Sequence, residues 1–165
     1  MGHNITALVL KGKFDENKAQ EFDLQPVDLG FGLTMFYVDF YYAAYWQHIL
    51  PVEGYLDIHN PQQRFVPSEK SLYAVLKAIS RAKILEFALI NTDYFAGIGT
   101  QFANVFREEQ NADKNILYIN EALRYLGVQK KGNLDEFDTV GLSNYRSNPD
   151  ELGEKYSQLC DDLNL

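Results

Sequence analysis

The residues whose types and spacing could do chemistry lie together in Asn91-Thr92-Asp93-Tyr94-Phe95-Ala96-Gly97-Ile98-Gly99-Thr100-Gln101. Asp93 could serve as acid, base or hydrogen-bond acceptor, with Thr100 and Gln101 orienting a ligand. Tyr94 and Phe95 add aromatic surface, and Gly97 and Gly99 supply positive φ or close backbone approach. A phosphate cradle fits poorly. The stretch lacks the lysine of G-x-x-x-x-G-K-[ST], and the pattern after it is a strand, not a helix. Two readings stand: a ligand or partner loop on a rigid scaffold, or a structural hairpin whose Asp93 caps its own backbone.

Other chemistry is sparse. His48 and His59, with Glu53 and Asp57 between them, form the one metal-like grouping, and their spacing matches no H-E-x-x-H pattern. No metal and no cofactor are expected. Cys160 is the sole cysteine, so no internal disulfide can form, and the neighbouring Asp161 and Asp162 would raise its pKa. It reads as a packing residue. No G-x-S-x-G elbow is present, so catalysis is the weaker expectation. Asp135, Glu136 and Asp138 make an acidic run, either a solvated turn or a partner-facing patch. Ser143, Tyr145 and Arg146 follow it and could join the hairpin loop at one sheet end.

The elements that must position these residues are readable from periodicity. Residues 84–90 form a nearly continuous apolar run, the mark of a strand buried on both faces. Phe102, Asn104 and Phe106 alternate with Ala103 and Val105, which gives a second strand. Together they predict a β-hairpin with a loop of about six or seven residues, longer than usual. Strands are also expected over 5–10, 33–39 and 137–142, with shorter pieces near 26–30 and 55–58. Helices are expected from Asp15 to about Phe22, over 40–49, after Ser68 with Leu72, Val75, Leu76 and Ile79 on one stripe, and over 116–126 with Gly127 as its terminator. A final helix opens at Asn148-Pro149, with asparagine as N-cap.

Composition narrows the function classes. At 165 residues the chain is expected to be a single globular domain, residues 1–165. The net charge of −8 argues against nucleic acid and against anionic membranes, and favours a basic protein partner. From Phe31 to Trp46 the chain is unusually aromatic. Tyr41, Tyr42, Tyr45 and Trp46 are the candidate aromatic interface, because several tyrosine hydroxyls are hard to satisfy in one core. A homodimer through that face is a further expectation. The expected setting is cytoplasmic.

Three stretches also carry a resemblance: residues 92–101, Ile119-Asn120-Glu121-Ala122-Leu123-Arg124-Tyr125-Leu126-Gly127-Val128, and Asp135-Glu136-Phe137-Asp138-Thr139-Val140-Gly141-Leu142. They resemble a group of small uncharacterised bacterial proteins with a Thr-Asp-Tyr-Phe loop, usually with glycine where Ala96 stands. The resemblance covers roughly the C-terminal half. It implies a bacterial, cytosolic setting and assigns no catalytic residue. The combined expectation is an α+β fold with a mixed, largely antiparallel sheet of four to six strands and helices mainly on one face. The expected function is a protein-binding module, in its concrete form an immunity-type inhibitor of a basic partner. The alternative is a small-molecule-binding protein or enzyme using Asp93, Tyr94, Phe95, Gly97, Gly99, Thr100 and Gln101.

Overall fold

The computed structural model describes residues 2–58 and 68–165. Strands β1 (His3–Lys11), β2 (Val27–Gly30), β3 (Leu33–Tyr37), β4 (Glu86–Phe95), β5 (Ile98–Arg107) and β6 (Gln110–Asn111) make one sheet. Their order is β2-β3-β1-β4-β5-β6, and each neighbouring pair is antiparallel. An isolated parallel bridge joins Asn4 to Ser147, which lies outside the named strands. The expected α+β class holds. Helices α1 (Glu16–Glu21), α2 (Phe40–Ile49), α3 (Glu69–Ile79) and α6 (Asp150–Leu163) cover one face, and the shorter α4 (Ile119–Tyr125) and α5 (Glu136–Thr139) cover the other.

The central strands alternate between two cores, as a pleated strand must. Leu8, Leu10, Phe36, Phe87, Leu89 and Phe106 pack on the larger helical layer. Ala7, Val9, Met35, Ala88, Ile90 and Val105 pack on α4 and the segment after it. The run from Phe87 to Ile90 is buried on both faces, as its continuous apolar sequence demands. Helix α4 stops at Gly127, whose φ is 111°. Val128 N–H donates to Leu123 O and Gly127 N–H to Arg124 O, the paired bonds of a Schellman stop.

Three local expectations are corrected. Residues 137–142 are not a strand: Asp135 caps α5 by accepting from Asp138 N–H, and Gly141, at φ 76°, leads into a short 3-10 turn over Leu142–Asn144. Residues 55–58 form no strand, although Leu56 and Ile58 are buried in the larger core. Asn148 does not cap α6, whose N-cap is Pro149. Its amide instead accepts from Thr6 N–H at 2.9 Å and donates to Val38 O at 2.8 Å. It thereby stands in for a strand where β3 parts from β1. The aromatic run is divided between core and surface, with Phe36 buried and Phe31 and Phe40 exposed. Tyr42 is fully buried and donates its hydroxyl to Phe22 O at 2.7 Å. Tyr45 and Trp46 are half-buried among Phe22, Tyr42 and Tyr156, and Tyr41, beside Phe40, is exposed.

Candidate functional site at the hairpin end

The long loop expected at residues 91–101 is a two-residue turn. Strand β4 runs on to Phe95 and β5 begins at Ile98, with Phe95 opposite Ile98 and Tyr94 opposite Gly99. Ala96 at φ 52° and Gly97 at φ 80° both have positive φ, the signature of a type I′ turn. The polar residues stay extended because β1 pairs them on the other side, His3 with Tyr94 and Ile5 with Thr92. Gly99 sits where β4 approaches closely. A Cβ there would collide with Asp93 O and lie 2.7 Å from Tyr94 Cα.

Strand alternation sorts the candidates onto two faces. Asp93, Phe95, Ile98 and Thr100 share one, and Thr92, Tyr94, Gly99 and Gln101 the other. Phe95 is 78% exposed and Ile98 82%, more than any other large apolar side chain among the described residues. Asp93 and Thr100 are exposed beside them. Outward from the sheet, Gly99 and Gln101 present backbone groups that no described residue pairs, since the covering contacts begin at Ala103, which donates to Leu117 O.

The second face closes a cavity of about 300 Å³ against α4, α5 and the 3-10 turn. From the hairpin come Thr92, Tyr94 and Gln101, from β1 His3, and from the covering segments Asn120, Asp135, Phe137, Ser143 and Arg146. Ser143 and Arg146 do join the hairpin, whereas Tyr145 packs against the core beneath. Asp93 does not line this cavity. His3 was not singled out by sequence, although it is in phase with Ile5, Ala7 and Val9 on the buried side of β1. Its Nε2 donates to Leu142 O at 3.0 Å. Nδ1 therefore accepts from the Thr92 hydroxyl at 2.7 Å, while Thr92 Oγ1 accepts from Ile5 N–H. Through both ring nitrogens His3 holds the turn against the sheet.

The remaining polar residues are largely structural. Gln101 Oε1 accepts from Ile119 N–H at 2.9 Å and so fixes the start of α4. Asn120 bridges Phe137 N–H and the Asp135 carboxylate. Within the acidic run, Glu136 is 2% exposed and bonds Arg124 Nε at 2.9 Å. Burial works against its charge, but the Arg124 guanidinium prevails and its pKa falls below the usual carboxylate value. Asp138 is exposed. Cys160 is buried, and burial, then Asp39 and Asp161, push its thiol up, which suits packing rather than nucleophilic chemistry.

Among the described residues no cluster of three or more His, Cys, Asp or Glu could hold a metal. His48 is exposed, Asp57 pairs with Lys114, and His59 lies outside the described residues. No helix among the described residues is long and apolar enough to cross a membrane. No protein-family model, curated protein or solved structure matches this chain.

Proposed function

We propose that this chain is a protein-binding module that captures a basic partner at the end of its β4–β5 hairpin, with an immunity-type inhibitor as its concrete form. The observation that carries this reading is the Phe95–Ile98 pair. Two large apolar side chains stand in water, opposite each other, on a hairpin held by the full ladder of β1, β4 and β5. Burying either against a partner would gain about 1.5–3 kcal/mol, and the rigid ladder keeps the ordering cost low.

The adjoining edge supports the same reading. From Ile98 to Phe106 β5 carries no charged residue and no proline. The opposite edge, β2, is short, follows Pro26, contains Asp28 and is bulged between Asp28 and Gly30. Those are the devices that stop unwanted strand pairing, and the part of β5 at Gly99 and Gln101 that no described residue pairs has none of them. An extended segment of the partner can therefore add to β5 at Gly99 and Gln101. The net charge of −8 disfavours a second copy in that place and favours capture of a basic protein. A bacterial, cytoplasmic setting belongs to this proposal.

A pull-down from native lysate with the wild type and a Phe95→Ser/Ile98→Ser variant tests it. A basic protein retained by the first and lost by the second is the expected result. Equal retention, or no protein partner at all, would sink it. A second reading, a small-ligand protein, is favoured by the cavity behind Tyr94 and Gln101. It is compatible with the first because the two sites use opposite faces of the hairpin.

A further inference from the structure

We propose that the cavity behind the hairpin takes a free α-amino acid, its carboxylate held by Arg146 and its ammonium by Asp135. This inference rests on the small-ligand reading of the cavity and is independent of partner docking at the hairpin tip.

Arg146 and Asp135 are both exposed at the rim of this cavity. Lys77, Arg81, Arg124 and Lys155 pair with Glu108, Asp15, Glu136 and Asp23. Lys83, Arg107, Lys130 and Lys131, like Arg146, are exposed with no ion pair among the described residues, and Arg146 differs from them in lining the cavity. Arg146 lines the cavity, and its guanidinium has no ion pair or hydrogen bond among the described residues; only its backbone carbonyl is engaged, by Asn4 N–H. Asp135 is the opposite case. Its carboxylate accepts from Asp138 N–H at 2.8 Å and from Asn120 Nδ2 at 3.1 Å. Both donors are neutral, so the charge is oriented but not cancelled, and an ionised carboxylate still has acceptor sites to offer. One uncancelled cation and one uncancelled anion thus border the same cavity.

That pairing selects the ligand. A simple anion meets Arg146 but is repelled by Asp135, and a simple cation meets the reverse. A zwitterion satisfies both with charge-assisted hydrogen bonds. Peptide termini carry one charge each, so a chain end cannot present both at one carbon. The rest of the lining is neutral and uncommitted where a small polar molecule would need it. The Tyr94 and Ser143 hydroxyls have no partner among the described residues, and Gln101 has spent its carbonyl oxygen on Ile119 N–H and keeps its amide N–H₂. The volume of about 300 Å³ is at the small end for ligand pockets, which suits an amino acid with a short side chain and excludes a dinucleotide.

The test is a chemical-shift titration of the ¹⁵N-labelled protein with glycine, L-alanine and L-serine, and with the N-acetyl and amide derivatives of each. The expected result is saturable movement of the Gln101, Ser143 and Arg146 amides with a free amino acid, and binding weaker by about tenfold or more for either one-charge derivative. Arg146→Gln should bind the free amino acid no better than its amide. Asp135→Asn, which keeps a good N-cap, should treat the free and N-acetyl forms alike. The inference is overturned if no free amino acid moves these amides at about 10 mM, well above a millimolar Kd, or if a one-charge derivative binds equally well. The Phe95→Ser/Ile98→Ser variant should titrate as the wild type does, so failure here and failure of partner docking are separable.

Discussion

Glu108→Gln is the perturbation whose size follows most directly from the structure. Glu108 sits at φ 52° in the β5–β6 turn. Its carboxylate accepts from Lys77 Nζ at 2.8 Å, Leu85 N–H at 2.9 Å and the Tyr73 hydroxyl at 2.7 Å. One side chain thus ties α3 to the start of β4. The Lys77 ammonium first, then Leu85 N–H and Tyr73, hold its pKa at about 2, down from 4.5. Burial first, then the Glu108 carboxylate, lift Tyr73 to about 12. At about 1.4 kcal/mol per pKa unit, the Glu108 shift corresponds to about 3.5 kcal/mol at most. The side chain is 33% exposed, so solvent screening reduces this to about 2 kcal/mol. Glutamine also turns an N–H₂ toward groups that are all donors. At neutral pH the variant should lose about 2 kcal/mol, or about 4–8 °C in Tm for a chain of this size. The pH dependence carries the sign. A depressed carboxylate contributes fully above its unfolded value of 4.5 and loses that contribution as pH falls through about 2. Urea unfolding of both proteins across that window should therefore show the gap closing toward acid. A gap that is pH-independent, or smaller than about 0.5 kcal/mol at neutral pH, would refute the reasoning.

Substitutions at three other positions follow. Gly99→Ala should cost about 3 kcal/mol or more in urea unfolding, because the new methyl meets the β4 backbone and no flexible side chain can yield. Ala96→Asn should raise stability by about 1 kcal/mol, seen as a small rise in Tm, because Ala96 carries the left-handed penalty that asparagine tolerates in a type I′ turn. Asn148→Ala should cost about 2 kcal/mol through loss of its bonds to Thr6 and Val38. Asn148→Asp should be no better, since it would set a carboxylate against the Val38 carbonyl.

Where local pattern and tertiary contact agree, the sequence was readable. The apolar run at 86–90, the Leu72 stripe of α3 and the Gly127 stop of α4 all carry their structure in neighbouring residues, whereas Ile84, read into the same strand, lies before β4 and is exposed. Thr92, Asp93 and Tyr94 read as loop because they are polar or aromatic beside two glycines. They are strand because β1, some 90 residues away in sequence, pairs with them. Residues 137–142 mislead in the other direction, since a six-residue apolar alternation cannot tell a strand from a capped helical turn. Of the α2 tyrosines only Tyr42 is fully buried, and the acceptor that allows it is a backbone carbonyl at Phe22, which no local pattern shows. The candidate site was half legible: Tyr94, Gln101, Ser143 and Arg146 were singled out, while His3 and Asp135 acquire their roles only when β1 and α5 meet at the sheet end.

Amide hydrogen exchange at Gly99 and Gln101 reads the proposed addition of a partner strand to β5 most directly. Neither amide has a backbone partner among the described residues, so both should exchange fast in the isolated protein. In the complex with the captured partner both should become protected, together with loss of solvent contact at Phe95 and Ile98. Fast exchange at both positions within a stable complex would contradict strand addition at this edge.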